Sequence, residues 1–146
     1  MTPPPEPDGQ ESFTTVSEPP VTPTRHRVVL PFRADTESWT EERCFIVELC
    51  GRADDAGLSI ARARVAPGVT TRLHRLAGVT ERYVILAGEG LVEVAGGERC
   101  RVGPLDVVVI APGTTQRITN AGLEDLVFLC VCTPAFTPAC YEEAQT

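Results

Sequence analysis

From residue 25 onward the chain alternates short apolar runs with turn residues. The runs fall at 27–32, 43–49, 58–65, 72–76, 82–87, 90–94, 107–110, 116–119 and 126–132, and the separators are rich in Gly, Pro, Asp and Asn. Short runs at this regular spacing predict an all-β sandwich or barrel. Only 35–42, where Thr, Ser and acidic residues can cap, offers a single helical turn. Both faces of 107–110 and of 126–132 are apolar, so these strands are expected to be covered on both sides. A second sheet or a partner subunit would do this, and a homodimer is the expectation.

The pattern stops before that point. Residues 1–24 interleave Pro3, Pro4, Pro5, Pro7, Pro19, Pro20 and Pro23 with Glu, Asp, Thr and Ser. Such a stretch holds too few apolar groups to offset the entropy of ordering it, so a disordered proline-rich leader is predicted, followed by one domain over 25–146. The leader lacks the basic start and apolar centre of a secretory signal, which points to the cytoplasm and to reduced thiols.

Charge narrows the partners. Twenty Asp and Glu against thirteen basic residues give a net charge of −7, which argues against nucleic acid or an anionic membrane surface. All the basic residues are Arg, so Schiff-base, lysine-base and P-loop chemistry are excluded. With only His26 and His74 present, a centre needing several histidines from one chain cannot be built. Arg62 and Arg64 share a strand face, as a solvated surface or an anion site.

The six cysteines form no CxxC pair. Cys130 and Cys132 sit at i and i+2 of an apparent strand, which is poor disulfide geometry. They read as small core hydrophobes, with Cys132 the first candidate for a thiol facing a pocket.

The densest chemistry lies between Gly68 and Gly90. Arg72, His74 and Leu76 share one strand face, and Glu81, Tyr83 and Ile85 share a face of the next. Residues 77–80 have hairpin length, so His74 and Glu81 are expected to meet across an antiparallel pair. The spacing of Gly68, His74, Glu81 and Gly88 resembles the first motif of the cupin family, departing from it at Leu76. Leu105, Asp106, Ala111, Gly113, Gln116 and Asn120 fall in the register of the second motif. The resemblance spans roughly 55–135 and implies a small cupin, a jelly-roll (double-stranded β-helix) barrel of antiparallel strands.

It also implies where a metal would sit. The family's usual ligands, carried over residue by residue, leave His74, Glu81 and Gln116, since Leu76 cannot ligate and Gln116 offers a neutral amide oxygen. One imidazole, one carboxylate and one amide would suit a single divalent transition metal, Zn²⁺, Mn²⁺, Fe²⁺ or Ni²⁺, without choosing among them. The alternative is a metal-free pocket in which Glu81 takes Arg72 as its partner. Alternation adds Tyr83, Ile118 and Cys132 to Arg72 and Leu76 as pocket-lining residues.

Two function classes follow. The first is a metal-assisted enzyme in which His74 and Glu81 are catalytic and a small organic molecule is the substrate. Dioxygenases, lyases, isomerases and polyketide-pathway cyclases all lie within the family. The apolar Leu76 favours an apolar or aromatic substrate over a sugar. The second is a metal-free module that binds a small ligand without turnover. A transcription factor is disfavoured, because no helical DNA-binding element accompanies the barrel.

Overall fold

The computed structural model describes residues 27–145, so the proline-rich stretch and the domain boundary at residue 25 lie outside the described residues. Eleven strands carry the fold: β1 (Ser38–Trp39), β2 (Phe45–Cys50), β3 (Ser59–Val65), β4 (His74–Leu76), β5 (Thr80–Ala87), β6 (Gly90–Val94), β7 (Cys100–Val102), β8 (Val107–Ile110), β9 (Gln116–Asn120), β10 (Leu126–Thr133) and β11 (Tyr141–Glu143). Their pairing is antiparallel. One sheet runs β1-β2-β3-β10-β5-β8 and the other β11-β4-β9-β6-β7. Among the described residues no helix is long and apolar enough to cross a membrane.

The two sheets face each other across one core. Alternate residues of β3, β5 and β10 (Ala63, Val65, Tyr83, Ile85, Leu126, Phe128) meet Val92, Val102 and Ile118 from the opposite sheet. A smaller cluster of Leu76, Val79, Cys132 and Cys140, with Tyr141 against it, packs separately. β10 is the central strand of its sheet, bonded to β3 along one edge and β5 along the other. Of its two apolar faces, Leu126, Phe128 and Cys132 are buried, while Val127, Leu129 and Val131 on the other are half-buried.

Several expectations need correction. Residues 27–32 form no strand: Val28, Val29 and Phe32 are exposed, and the apolar run there meets no partner strand. Over 35–42 there is only a 3-10 turn at Ala34–Thr36 followed by the two-residue β1. Three short strands, β1, β7 and β11, were absent from the pattern. Arg62 and Arg64 are neither solvated nor waiting for an anion. Both bond to Glu37, Arg64 also reaches Asp125, and their guanidinium groups lie over the Phe32 and Phe45 rings. The six cysteines are free.

Two turn positions matter for the family motifs. Gly88 sits at φ +84°, and a Cβ there would stand 2.7 Å from the Asp125 carbonyl oxygen, so no other residue fits. Leu105 occupies the place of a motif glycine and holds φ +70° with its side chain 81% exposed. A left-handed conformation costs a non-glycine residue roughly 1–2 kcal/mol, against roughly 0.5–1 kcal/mol for the extra unfolded-state entropy of Gly. Leu105→Gly is therefore expected to stabilise the protein slightly, by about 0.5–1 kcal/mol, read as a higher midpoint in urea unfolding. A lower midpoint would mean that Leu105 makes contacts the strain is held for.

Candidate functional site

His74 opens β4, where its Cα pairs with Gln116 of β9 and with Glu143 of β11. Glu81 lies on β5, paired with Ile110 of β8 and Cys132 of β10. β4 and β5 belong to different sheets, so the 77–79 connection is a crossing between sheets and not a hairpin turn. The imidazole and carboxylate consequently face each other from opposite walls of the barrel interior. Both are buried, with 4% and 7% exposure.

The ring of His74 is fixed from two sides. Its Nδ1 lies 2.8 Å from the Arg72 backbone carbonyl, so Nδ1 carries the proton and Nε2 is the free acceptor of the neutral ring. Tyr141 stacks on the ring at 5.0 Å between centroids and 23° between planes. Opposite, Glu81 Oε2 accepts from the Cys132 thiol at 3.5 Å, while Oε1 is buried with no partner. Burial pushes the Glu81 carboxyl up, and His74, the Gln116 amide and the Cys132 thiol pull it back only in part.

Gln116 is fully buried, and its Oε1 accepts a short hydrogen bond from the Tyr83 hydroxyl. This leaves Nε2 as the group turned inward; it stands near Glu81 yet makes no hydrogen bond of good geometry. Tyr83 in turn packs on Phe128 at 4.6 Å. Burial raises the phenol well above its ordinary value, so it stays a donor.

Sequence reasoning missed Glu42. Its carboxylate lines the same narrow interior space as His74, Glu81 and Tyr83, and burial pushes its pKa up while His74 pulls it down. The signal was available: Glu42, Cys44 and Ile46 alternate, and all three line this space. The adjoining, wider cavity of about 210 Å³ is walled by Ile46, Ile60, Ala61, Cys130 and Phe136, with Glu42, Glu48 and Glu81 as its charged groups. A neighbouring hollow between Thr40, Glu42, Arg72 and Tyr141 shares Thr40 and Glu42 with it.

Other expected residues stand elsewhere. Arg72 is bonded to Glu143 at the surface, 2.8 Å away, and does not serve Glu81. Leu76 is buried in the small cluster with Cys140, so it is no wall of the cavity; Ile118 is in the main core between the sheets. Cys132 does line the cavity beside Glu81.

The donor set can be tested against a divalent metal. His74 Nε2 and the orphaned Glu81 Oε1 are suitable donors, but Gln116 spends its carbonyl oxygen on Tyr83 and presents an NH₂ group, which cannot ligate. Among the described residues no group of three or more His, Cys, Asp or Glu is gathered to hold a metal ion. As arranged, the residues do not fit the three-ligand set expected from the motif.

Comparison with known proteins locates this barrel. Residues 61–132 match the model of the cupin domain. An oxalate-binding protein of Thermotoga maritima is 37% identical over 71 residues, covering 49% of this chain and 58% of its own. The chain thus spans about six-tenths of the length of the curated relatives it matches. Among solved structures, a predicted oxalate decarboxylase from Thermotoga maritima superposes with a TM-score of 0.57 at 29% identity, over 62% of this chain and 80% of that one. The nucleoside dehydratase Pac13 gives a TM-score of 0.66 at 13% identity, over 79% and 90%, a likeness of fold alone.

Proposed function

This chain carries a cupin domain over residues 61–132, and on that premise we propose that it is a small-molecule lyase or isomerase working by acid and base groups of the barrel interior. The observation that carries this reading is the orphaned Glu81 Oε1 in the narrow interior space that His74 also lines, with Nε2 left as the free acceptor of its ring. Buried polar groups without partners call for a ligand that supplies them.

The chemistry follows from the protonation states. Glu81, raised by burial, keeps its proton to higher pH than an ordinary carboxylate and acts as the acid. His74 Nε2 takes a proton from a carbon next to a carbonyl of the ligand. The C–H electron pair forms a C=C bond while the carbonyl oxygen receives the Glu81 proton, giving an enol. In an isomerisation the His74 proton goes to another carbon while an enol O–H returns its proton to Glu81 and a carbonyl re-forms. In an elimination a hydroxyl on the β-carbon leaves with the His74 proton as water, the enol C=C pair moves to the α–β bond, and the enol O–H returns its proton to Glu81. Gln116 Nε2 is the donor that steadies the oxygen.

Size and charge define the ligand. A dry cavity of about 150 Å³ holds benzene, so about 210 Å³ suits a single substituted ring or a short chain. The walls are apolar and the charged groups are carboxylates, so the buried part of the ligand is neutral. A dianion such as the oxalate that names a relative would sit against Glu42 and Glu81 without a cation. The apolar or aromatic preference drawn from Leu76 stands instead on Ile46, Ile60 and Phe136.

A homodimer remains part of this reading, supported by Val107 and Val109, exposed on β8 at the unpaired edge of its sheet.

The test needs no prior substrate. A panel of small ketones and hydroxyketones incubated with the protein in D₂O should yield members whose α-protons exchange faster than in buffer. His74→Ala should lower that exchange by about 10²–10⁴-fold, the usual weight of a general base. Exchange unaffected by His74→Ala, or by no member of the panel, would remove the enzyme and leave a ligand-binding barrel. Exchange that vanishes with chelator and returns with a transition metal would instead restore the metal-assisted reading, with Gln116 turned to present its oxygen.

A further inference from the structure

Outside the barrel lies an open groove of about 730 Å³ lined by Arg43, Thr70, Thr71, Arg72, Arg99 and Arg117, with Glu143 the acidic side chain among its walls. Four guanidinium groups gathered on a chain of net charge −7 are unlike the rest of the surface. Their neutralisation is incomplete. Arg117 and Arg99 share the single carboxylate of Glu93, at 3.0 and 3.6 Å, and Arg72 is bonded to Glu143. Arg43 has no carboxylate partner among the described residues, and Arg72 Nε is buried without an acceptor. Two acids against four cations leave two positive charges unmatched.

Arg43 adds a separate observation. It holds φ +67° at the end of the Thr40–Arg43 turn, its N–H bonded to the Thr40 carbonyl at 3.0 Å. This is a position where Gly would be relaxed and a long side chain costs roughly 1–2 kcal/mol. Strain of this kind gathers at binding sites.

The groove neighbours the interior through shared residues. Arg72 and Glu143 line both the groove and the hollow between Thr40 and Tyr141, and Glu42 lines that hollow, the wide cavity and the space beside His74. We infer that the groove binds the phosphate dianion of a phosphorylated small molecule whose neutral body enters the barrel. Guanidinium forks match phosphate oxygens two at a time, and Thr70 adds a hydroxyl. Two unmatched positive charges match a dianion, whereas the carboxylate-lined interior repels one. The placement of the body rests on the function proposed above; the phosphate site does not.

Inorganic phosphate titrated into the full chain, followed by amide NMR, is the direct test. Saturable shifts are expected at Arg43, Thr70, Thr71 and Arg117, with Glu81 and Tyr83 unmoved. Arg43→Gly should weaken phosphate by roughly tenfold or more while raising the thermal midpoint, a split that a merely structural residue would not produce. Arg99→Glu should weaken it as well, and His74→Ala should leave it unchanged. No saturable shift in the wild type, or equal affinity in Arg43→Gly and Arg99→Glu, would overturn the site. In a series of phenylalkyl phosphates, one member should bind at least about tenfold tighter than phosphate alone. If none does while phosphate still binds, the groove stands and the entry of the body into the barrel fails.

Discussion

Glu81→Gln is expected to stabilise the protein at about pH 8 by roughly 1–3 kcal/mol, the penalty of an unsatisfied buried group, and to change little at about pH 4. Below the ordinary carboxylate value of 4.5 both the folded and unfolded chains carry the Glu81 proton, and burial costs no charge. As pH rises, the unfolded chain releases that proton first and the folded one holds it, so the native state binds more protons and stability falls with pH. The fall ends once pH passes the raised native value. Glutamine cannot ionise, so its urea unfolding curve should lack this part of the slope. Glu42, also raised by burial, contributes a slope of the same sign, and because the two carboxyls repel each other the difference between the proteins reports Glu81 together with its effect on Glu42. A Glu81→Gln protein less stable than wild type at about pH 8 would show instead that Glu81 is ionised and held by a cation.

The other large effect lies far from the chemistry. Asn120 is 1% exposed and closes one end of the barrel with three side-chain bonds. Its Nδ2 donates to the carbonyls of Val65 and Glu124 at 2.8 and 2.7 Å, and its Oδ1 accepts from the Gly122 N–H at 2.9 Å. Asn120→Ala leaves all three backbone groups without that partner, so a loss of about 3 kcal/mol and a thermal midpoint lower by about 10 °C are expected. Asn120→Asp should be at least as damaging. It keeps the acceptor for Gly122 but turns a carboxylate oxygen toward two carbonyl oxygens. A midpoint within about 2 °C of wild type for Asn120→Ala would mean that water takes over the three bonds.

The strands of the barrel were legible wherever apolar alternation met a partner strand. The runs at 58–65, 90–94, 107–110 and 126–132 coincide with β3, β6, β8 and β10 to within a residue. What failed was whatever depends on neighbours. β11 is Tyr-Glu-Glu and β7 is Cys-Arg-Val, too short and too polar to announce themselves, and each is a strand because an edge of the second sheet stands beside it. Conversely, 27–32 holds a continuous apolar run that pairs with no strand. Within the site, His74, Glu81 and Gln116 were marked by motif spacing, but spacing says nothing about which end of an amide faces inward. That is decided by Tyr83, whose hydroxyl claims the oxygen. Nor does a four-residue interval distinguish a hairpin from a passage between sheets, because both satisfy the same local turn chemistry.

The passage between sheets reaches further than local geometry. Two groups mounted on one hairpin travel together, so their separation is a local constant. Here the imidazole rides on one sheet and the carboxylate on the other, so the gap between them depends on how the two sheets are spaced by the core between them, which includes Ile85, Ile118 and Phe128. A methylene added or removed there would retune a proton-transfer distance without touching either reacting residue. Divergence of activity among barrels of this build, and attempts to redirect this one, can therefore begin in the middle of the molecule, at side chains packed between the sheets.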